Sequence, residues 1–197
     1  MRAKKGSSFE RKICKFLSNW WTGGERDDVF WRSSQSGGRA TERAKKGLRT
    51  YGSYGDIAAV DPVGESLLKL FTIELKRGSS YKTPADLLDF KEKNAAHPFV
   101  SRLFQAYDSH KQAGSLAWMM ICKRDHRESI LYLPIYVLHR LGRLDLCDAY
   151  PALTHNLIAY RPNRKFRRFH FLGLPLLYFV QHVSSGEIKQ ACNRLQP

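Results

Sequence analysis

Gly55-Asp56-Ile57-Ala58-Ala59-Val60 is followed by Asp61-Pro62-Val63-Gly64-Glu65, and then by Leu67-Leu68-Lys69-Leu70-Phe71-Thr72-Ile73-Glu74-Leu75-Lys76. The first segment reads as a short strand and the second as a turn built on Pro62 and Gly64. The third reads as a longer, more apolar strand. With the turn centred near Glu65, Asp56 falls opposite Glu74. Side chains alternate faces along a strand. Asp56, Ala58 and Val60 then share one face with Leu70, Thr72, Glu74 and Lys76. Ile57 and Ala59 share the other with Phe71, Ile73 and Leu75. A slip of one residue would part the two acids.

Two carboxylates side by side repel each other, and a divalent cation offsets that. Mg²⁺ takes oxygen ligands, keeps several waters and needs only one or two carboxylates. It polarises a phosphoryl oxygen and lowers the pKa of a bound water. Lys76 has the charge and reach to hold an attacking water or to stabilise charge in a phosphoryl transition state. The same residues also suit a solvated edge hairpin with ordinary surface charges. The hairpin alone does not choose between these readings.

Upstream, Gly6 to Leu17 reads as an amphipathic helix, with Phe9, Ile13, Phe16, Leu17 and Trp20 at helical spacing. Ser7 or Ser8 caps it, and Glu10 lies in its first turn, where an acid also suits the helix dipole. Phe30-Trp31-Arg32 starts a strand that runs into the polar loop Ser33-Ser34-Gln35-Ser36-Gly37-Gly38.

Glu10 on a first helix, Asp56 after a glycine, and Glu74-Leu75-Lys76 on the next strand together resemble the PD-(D/E)xK nuclease superfamily. Within it, Arg32-Ser33-Ser34-Gln35-Ser36-Gly37 is similar to the Arg…Ser-Gly segment of archaeal-type Holliday-junction resolvases. The resemblance covers roughly residues 6–125. It implies an α/β fold: a restriction-endonuclease-like core, with a central mixed β-sheet, an antiparallel hairpin carrying the active site, and flanking helices. It further implies that Asp56, Glu74 and the Leu75 carbonyl hold Mg²⁺, with Mn²⁺ able to substitute, and that Glu10 reaches the metal directly or through water. Lys76 would position or activate the nucleophilic water. Arg32, Ser34 and Ser36 would lie near the scissile phosphate. The superfamily's proline before the aspartate is replaced by Gly55, which removes no ligand.

The chain has 197 residues, 43% of them hydrophobic, and a net charge of +15 from 33 Lys and Arg against 18 Asp and Glu. That charge suits the backbone of DNA, branched or duplex, bound without sequence readout. The cluster Arg39, Arg43, Lys45, Lys46 and Arg49 flanks the proposed site, as does Arg77. Cys14, Cys122, Cys147 and Cys192 lie far apart, with no CxxC pair, which argues against a zinc ribbon and a disulfide framework and fits a cytoplasmic setting. No secretory signal or transmembrane run is legible, and no phosphate-binding Gly-Lys loop, so neither a membrane nor a nucleotide cofactor is implied. The seven histidines are scattered, which disfavours a zinc hydrolase.

Thr83 to Phe90 starts like a helix, with Thr83 as cap and Pro84 at the first position, 98–113 reads as a second helix ended by Gly114, and 115–123 as a strand buried on both faces. The helix makes the crossover between parallel strands. Lys111 and Gln112 near its end read as a solvated face. Residues 129–138 read as a strand broken at Pro134, 166–172 as an edge strand, and 174–183 and 186–195 as helices. This organisation divides into a nuclease core, 1–128, and a C-terminal extension, 129–197, packed on the core as a dimer or DNA-contact element. Three readings remain: a junction-selective, homodimeric endonuclease, suited to a phage; another nuclease of the same fold, acting on duplex or nicked DNA; and a non-catalytic nucleic-acid-binding module.

Overall fold

The computed structural model describes residues 2–33, 54–78, 82–90, 97–160 and 166–194. Ser34, Ser36, Arg39, Arg43, Lys45, Lys46 and Arg49 lie outside these residues. The first helix, α1 (Arg2–Trp21), buries Phe9, Ile13, Leu17 and Trp21 along one stripe, as the helical spacing requires. Two short strands follow, β1 (Phe30–Arg32) and β2 (Ile57–Ala59), paired antiparallel with Trp31 opposite Ala58. Buried Ser18 fastens this ribbon to α1: its hydroxyl donates to the Cys14 carbonyl and accepts from the Phe30 amide.

Next come a tight turn at Pro62–Gly64, the helix α2 (Glu65–Leu70) and the strand β3 (Phe71–Arg77). The second arm of the expected hairpin therefore begins at Phe71, not Leu67. Leu67, Leu68 and Leu70 turn as a helix, so Leu70 joins the core on the side opposite Glu74. A short apolar run is equally compatible with either element. Between β2 and β3 there is one main-chain hydrogen bond, from the Asp56 amide to the Ile73 carbonyl at 2.8 Å, rather than a ladder.

From β3 the chain passes through a single turn at Pro84–Leu87 and the helix α3 (Pro98–Ala113) to β4 (Ala117–Lys123), parallel to β3 with Glu74 opposite Met120. Pro98 at the first helical position and Gly114 with φ of 72° at the end delimit α3. β5 (Ser129–Pro134) runs antiparallel to β4 and leads into α4 (Ile135–Leu141). The remaining elements are β6 (Leu153–Tyr160), β7 (Phe166–Pro175), α5 (Leu176–His182) and α6 (Ser185–Asn193). The five-stranded mixed sheet has the order β3-β4-β5-β7-β6 and helices on both faces, as in a restriction-endonuclease-like core.

Residues 129–197 thus supply three strands to the same sheet as β3 and β4. β7 is an interior strand, not an edge one. The edge is β6, whose alternation of half-buried His155, Leu157 and buried Ala159 with outward neighbours is a period-two pattern. One core joins the sheet to α1, α2, α4, α5 and α6; the other lies under α3 and is rich in aromatic rings, including Phe99, Trp118, Tyr132, Phe169 and Phe171. Among the described residues no helix is long and apolar enough to cross a membrane.

Candidate active site

Alternation along β3 sends Phe71, Ile73 and Leu75 into the first core and Thr72, Glu74 and Lys76 to the α3 side. Asp56 arrives beside them because of its neighbours. Gly55 has φ of +81°, and a Cβ there would stand 2.7 Å from the Ile73 carbonyl oxygen. Only glycine lets the chain pass this close to β3, which accounts for the residue that stands before the aspartate. The Ser33 amide donates to the Asp56 carbonyl at 3.0 Å, which ties the end of β1 to the same point.

Asp56 Oδ2 accepts from the Leu75 amide at 2.7 Å and lies 3.7 Å from Lys76 Nζ. Lys76 donates to Glu74 Oε2 at 2.7 Å, so the ammonium bridges the two carboxylates. Glu74 is 2% exposed. Its Oε1 accepts from the Ser109 hydroxyl at 2.9 Å and its Oε2 from the Gln105 side-chain amide at 3.2 Å. A buried carboxylate needs such donors, since water is not there to supply them.

Burial is the main force on Asp56, and the Glu74 charge adds to it; together they raise its pKa to about 6. Burial opposes the charge on Lys76, but the attraction of Glu74 and Asp56 prevails and its pKa rises. The lysine therefore stays a cation. Beneath the cluster, burial with the nearby Glu10 charge pushes the Cys14 thiol up to about 12, leaving it neutral and unreactive.

The PD-(D/E)xK pattern is thus assembled in three dimensions: an acid after a tight backbone approach, then a second acid and a lysine one position apart on a core strand. A protein-family model described as "Phage putative PDDEXK endonuclease" matches residues 1–143. The chain belongs to this PDDEXK endonuclease family. No curated protein and no solved structure matches the chain.

In this PDDEXK chain the remaining sequence-predicted residues fall in different places. Glu10 does not join the pair: it is engaged by the Arg32 guanidinium, with side chains 18% and 33% exposed. Among the described residues no three His, Cys, Asp or Glu side chains gather into a metal-binding group. Arg77 ion-pairs with Asp125 at 3.2 Å. Lys111 and Gln112 are exposed.

Gln105 and Ser109 were not predicted. Their signal was there: polar residues at i and i+4 lie on one helix face, beside the buried stripe of Leu103, Ala106 and His110. The donor set suits a hard cation, with two carboxylates and the neighbouring Leu75 carbonyl all offering oxygen. The Lys76 ammonium already marks the space between the acids as a place for positive charge.

Proposed function

We propose that this chain is a Mg²⁺-dependent DNA endonuclease that selects branched DNA in the manner of a Holliday-junction resolvase and acts as a homodimer. The buried Asp56–Glu74–Lys76 cluster carries the reading: two acids share one face with a charged lysine, inside a chain of net charge +15. Asp56, Glu74 and the Leu75 carbonyl would hold the ion, with Glu10 reaching it directly or through water; Mn²⁺ would substitute. When bound, the ion polarises the phosphoryl oxygen and acidifies a water. Lys76 would position the nucleophilic water and donate to the developing charge. Arg32, Ser34 and Ser36 hold the scissile phosphate, and Arg39, Arg43, Lys45, Lys46 and Arg77 grip the backbone. Ile158 and Tyr160 on edge strand β6, with Phe166, are more than half exposed and offer a second copy an apolar face.

The test is cleavage by the purified protein with Mg²⁺ on a four-way junction, a nicked or flapped duplex and plain duplex, with Glu74→Ala as control. Paired symmetric nicks on the junction are expected. Equal Glu74-dependent cutting of all three would replace the resolvase with a general endonuclease. Absence of Glu74-dependent cutting would leave a binding module.

A further inference from the structure

The α3-facing side of the sheet does not end at the acids. Lys76, Cys122 and Ile130 form one cross-strand row, and Glu74, Met120, Tyr132 and Gly173 form the next. Tyr132 therefore stands two strands from Glu74 in the same row. α3 covers this face only from Phe99 onward, where its ring lies 5.4 Å from that of Tyr132. Beyond it, two adjoining cavities of about 650 and 440 Å³ share Thr83, Arg124, Ile130 and Tyr132 in their walls. Both volumes fall within the roughly 300–1,000 Å³ usual for small-ligand sites.

The groove changes character along its length. The larger cavity opens among Lys123, Arg124, His126 and Arg127, with Glu128 the one acid in its wall. Other acids close by are engaged: Asp125 pairs with Arg77, and Asp86 accepts from the Thr83 amide and hydroxyl. The smaller cavity is apolar, walled by Pro84, Ala85, Pro151 and His155, with Tyr150 at its mouth. Tyr150 is 92% exposed, a large aromatic surface left in water. Its floor is held open by sequence: a Cβ on Gly173 would stand 2.8 Å from the Tyr132 ring. The Tyr132 ring is 5% exposed and is braced edge-on by Phe99 and Phe171. Burial raises the pKa of its hydroxyl, which stays a neutral donor and acceptor. Flat aromatic surface, an apolar slot and a cationic rim are together what single-stranded nucleic acid requires.

We propose that this groove receives an unstacked nucleobase of the bound DNA. The base enters the apolar slot beside Tyr150, above the Tyr132 floor, and its phosphate lies on Arg124 and Arg127. The groove then favours DNA with unpaired bases over intact duplex and feeds the strand along the row that ends at Lys76. This rests on the nuclease reading above and deepens it by naming an unstacked base as a feature of the bound DNA that is sensed.

The test uses the full chain in EDTA, so that DNA is bound and not cut. Two DNAs of the same sequence, one fully paired and one with an unpaired arm, carry 2-aminopurine at successive positions. Binding is followed by anisotropy in the same samples. At one or two positions of the unpaired arm, emission should change by about twofold or more on saturation, as stacking on an aromatic ring demands. Tyr150→Ala, at an exposed position, should remove most of that change and weaken binding of the unpaired arm about tenfold. Ala85→Trp, which fills the slot from its exposed wall, should do the same, with melting curves to verify its fold. Emission unchanged at every position while anisotropy reports binding would overturn the proposal, as would a full change that survives both variants. Glu74-dependent cleavage is scored separately with Mg²⁺. Loss of the groove with cleavage retained, and an emission change without any cleavage, are therefore distinct results.

Discussion

Glu74 on β3 and Glu10 on α1 are the same side chain held in two ways. Glu74 is enclosed, with both oxygens engaged by Lys76, Gln105 and Ser109 from two packed elements. Glu10 is partly solvated and meets the Arg32 guanidinium, itself one-third exposed. Enclosure fixes a carboxylate in place and makes its charge costly unless a cation is near. Partial solvation leaves Glu10 free to exchange its partner for water, and Arg32 free to exchange Glu10 for a phosphate. On the function proposed above, the contrast puts Glu74 at the centre of the chemistry and Glu10 at its margin.

That assignment breaks most visibly by alanine substitution at each position. Glu74→Ala should lower the cleavage rate by at least about 10³-fold, since it removes a ligand worth several kcal/mol of transition-state stabilisation. DNA binding should persist. Glu10→Ala should cost about tenfold, the usual scale for a group acting through water or a neighbour. Single-turnover rates on one substrate decide it. Equal losses would make Glu10 a full member of the site.

Lys76 sharpens the comparison on the cationic side. Lys76→Ala should reduce turnover by about 10²–10³-fold, the scale for loss of one charge-stabilising donor. The Mg²⁺ concentration for half-maximal rate should move much less. A metal titration that shifts as far as the rate would make Lys76 a structural counter-ion to Glu74 and Asp56 and nothing more.

Asp56 provides a test by pH. Its folded pKa of about 6 lies above the ordinary 3.8. The folded chain therefore holds the proton more tightly than the unfolded one. The stability this contributes is complete below about pH 4 and is lost as pH rises through 6. In metal-free protein, Asp56→Asn should be more stable than wild type above pH 7 by up to about 3 kcal/mol. The gap should close by pH 4, and Mg²⁺ should reverse it by binding only the wild type. Urea melts across this range measure it. A gap that ignores pH would remove Glu74 and burial as forces on Asp56.

The residues that define this contrast were legible to different degrees. Glu74 and Lys76 could be placed on one face because strand alternation is strict; Asp56 comes beside them through the close approach at Gly55, not through the hairpin ladder that the sequence suggested. α2 could not, since Leu67 to Leu70 is too short a run for periodicity to separate helix from strand. β6 went unread, and β7 was taken for an edge, because Leu153 to Tyr160 shows weak alternation until its partner strand is known. Gln105 and Ser109 escaped notice for another reason. Their i, i+4 spacing puts them on one helix face, but which carboxylate that face meets is decided only once β3 lies across α3.

The smallest effect concerns those two donors. Ser109 and Gln105 bind different oxygens of Glu74, so either can be removed while Lys76 still holds the carboxylate. Ser109→Ala and Gln105→Ala should each lower kcat about tenfold, as loss of a group that orients a ligand does, with little change in KM. The two losses should not add, because both act on one side chain. The double variant should bring Glu74 toward the looser state of Glu10, with a weaker response to Mg²⁺ that higher Mg²⁺ partly restores. Rates that stay at the wild-type level in both single variants would mean that β3 and Lys76 alone position Glu74. The difference between the two glutamates would then lie in burial, not in the donors that α3 supplies.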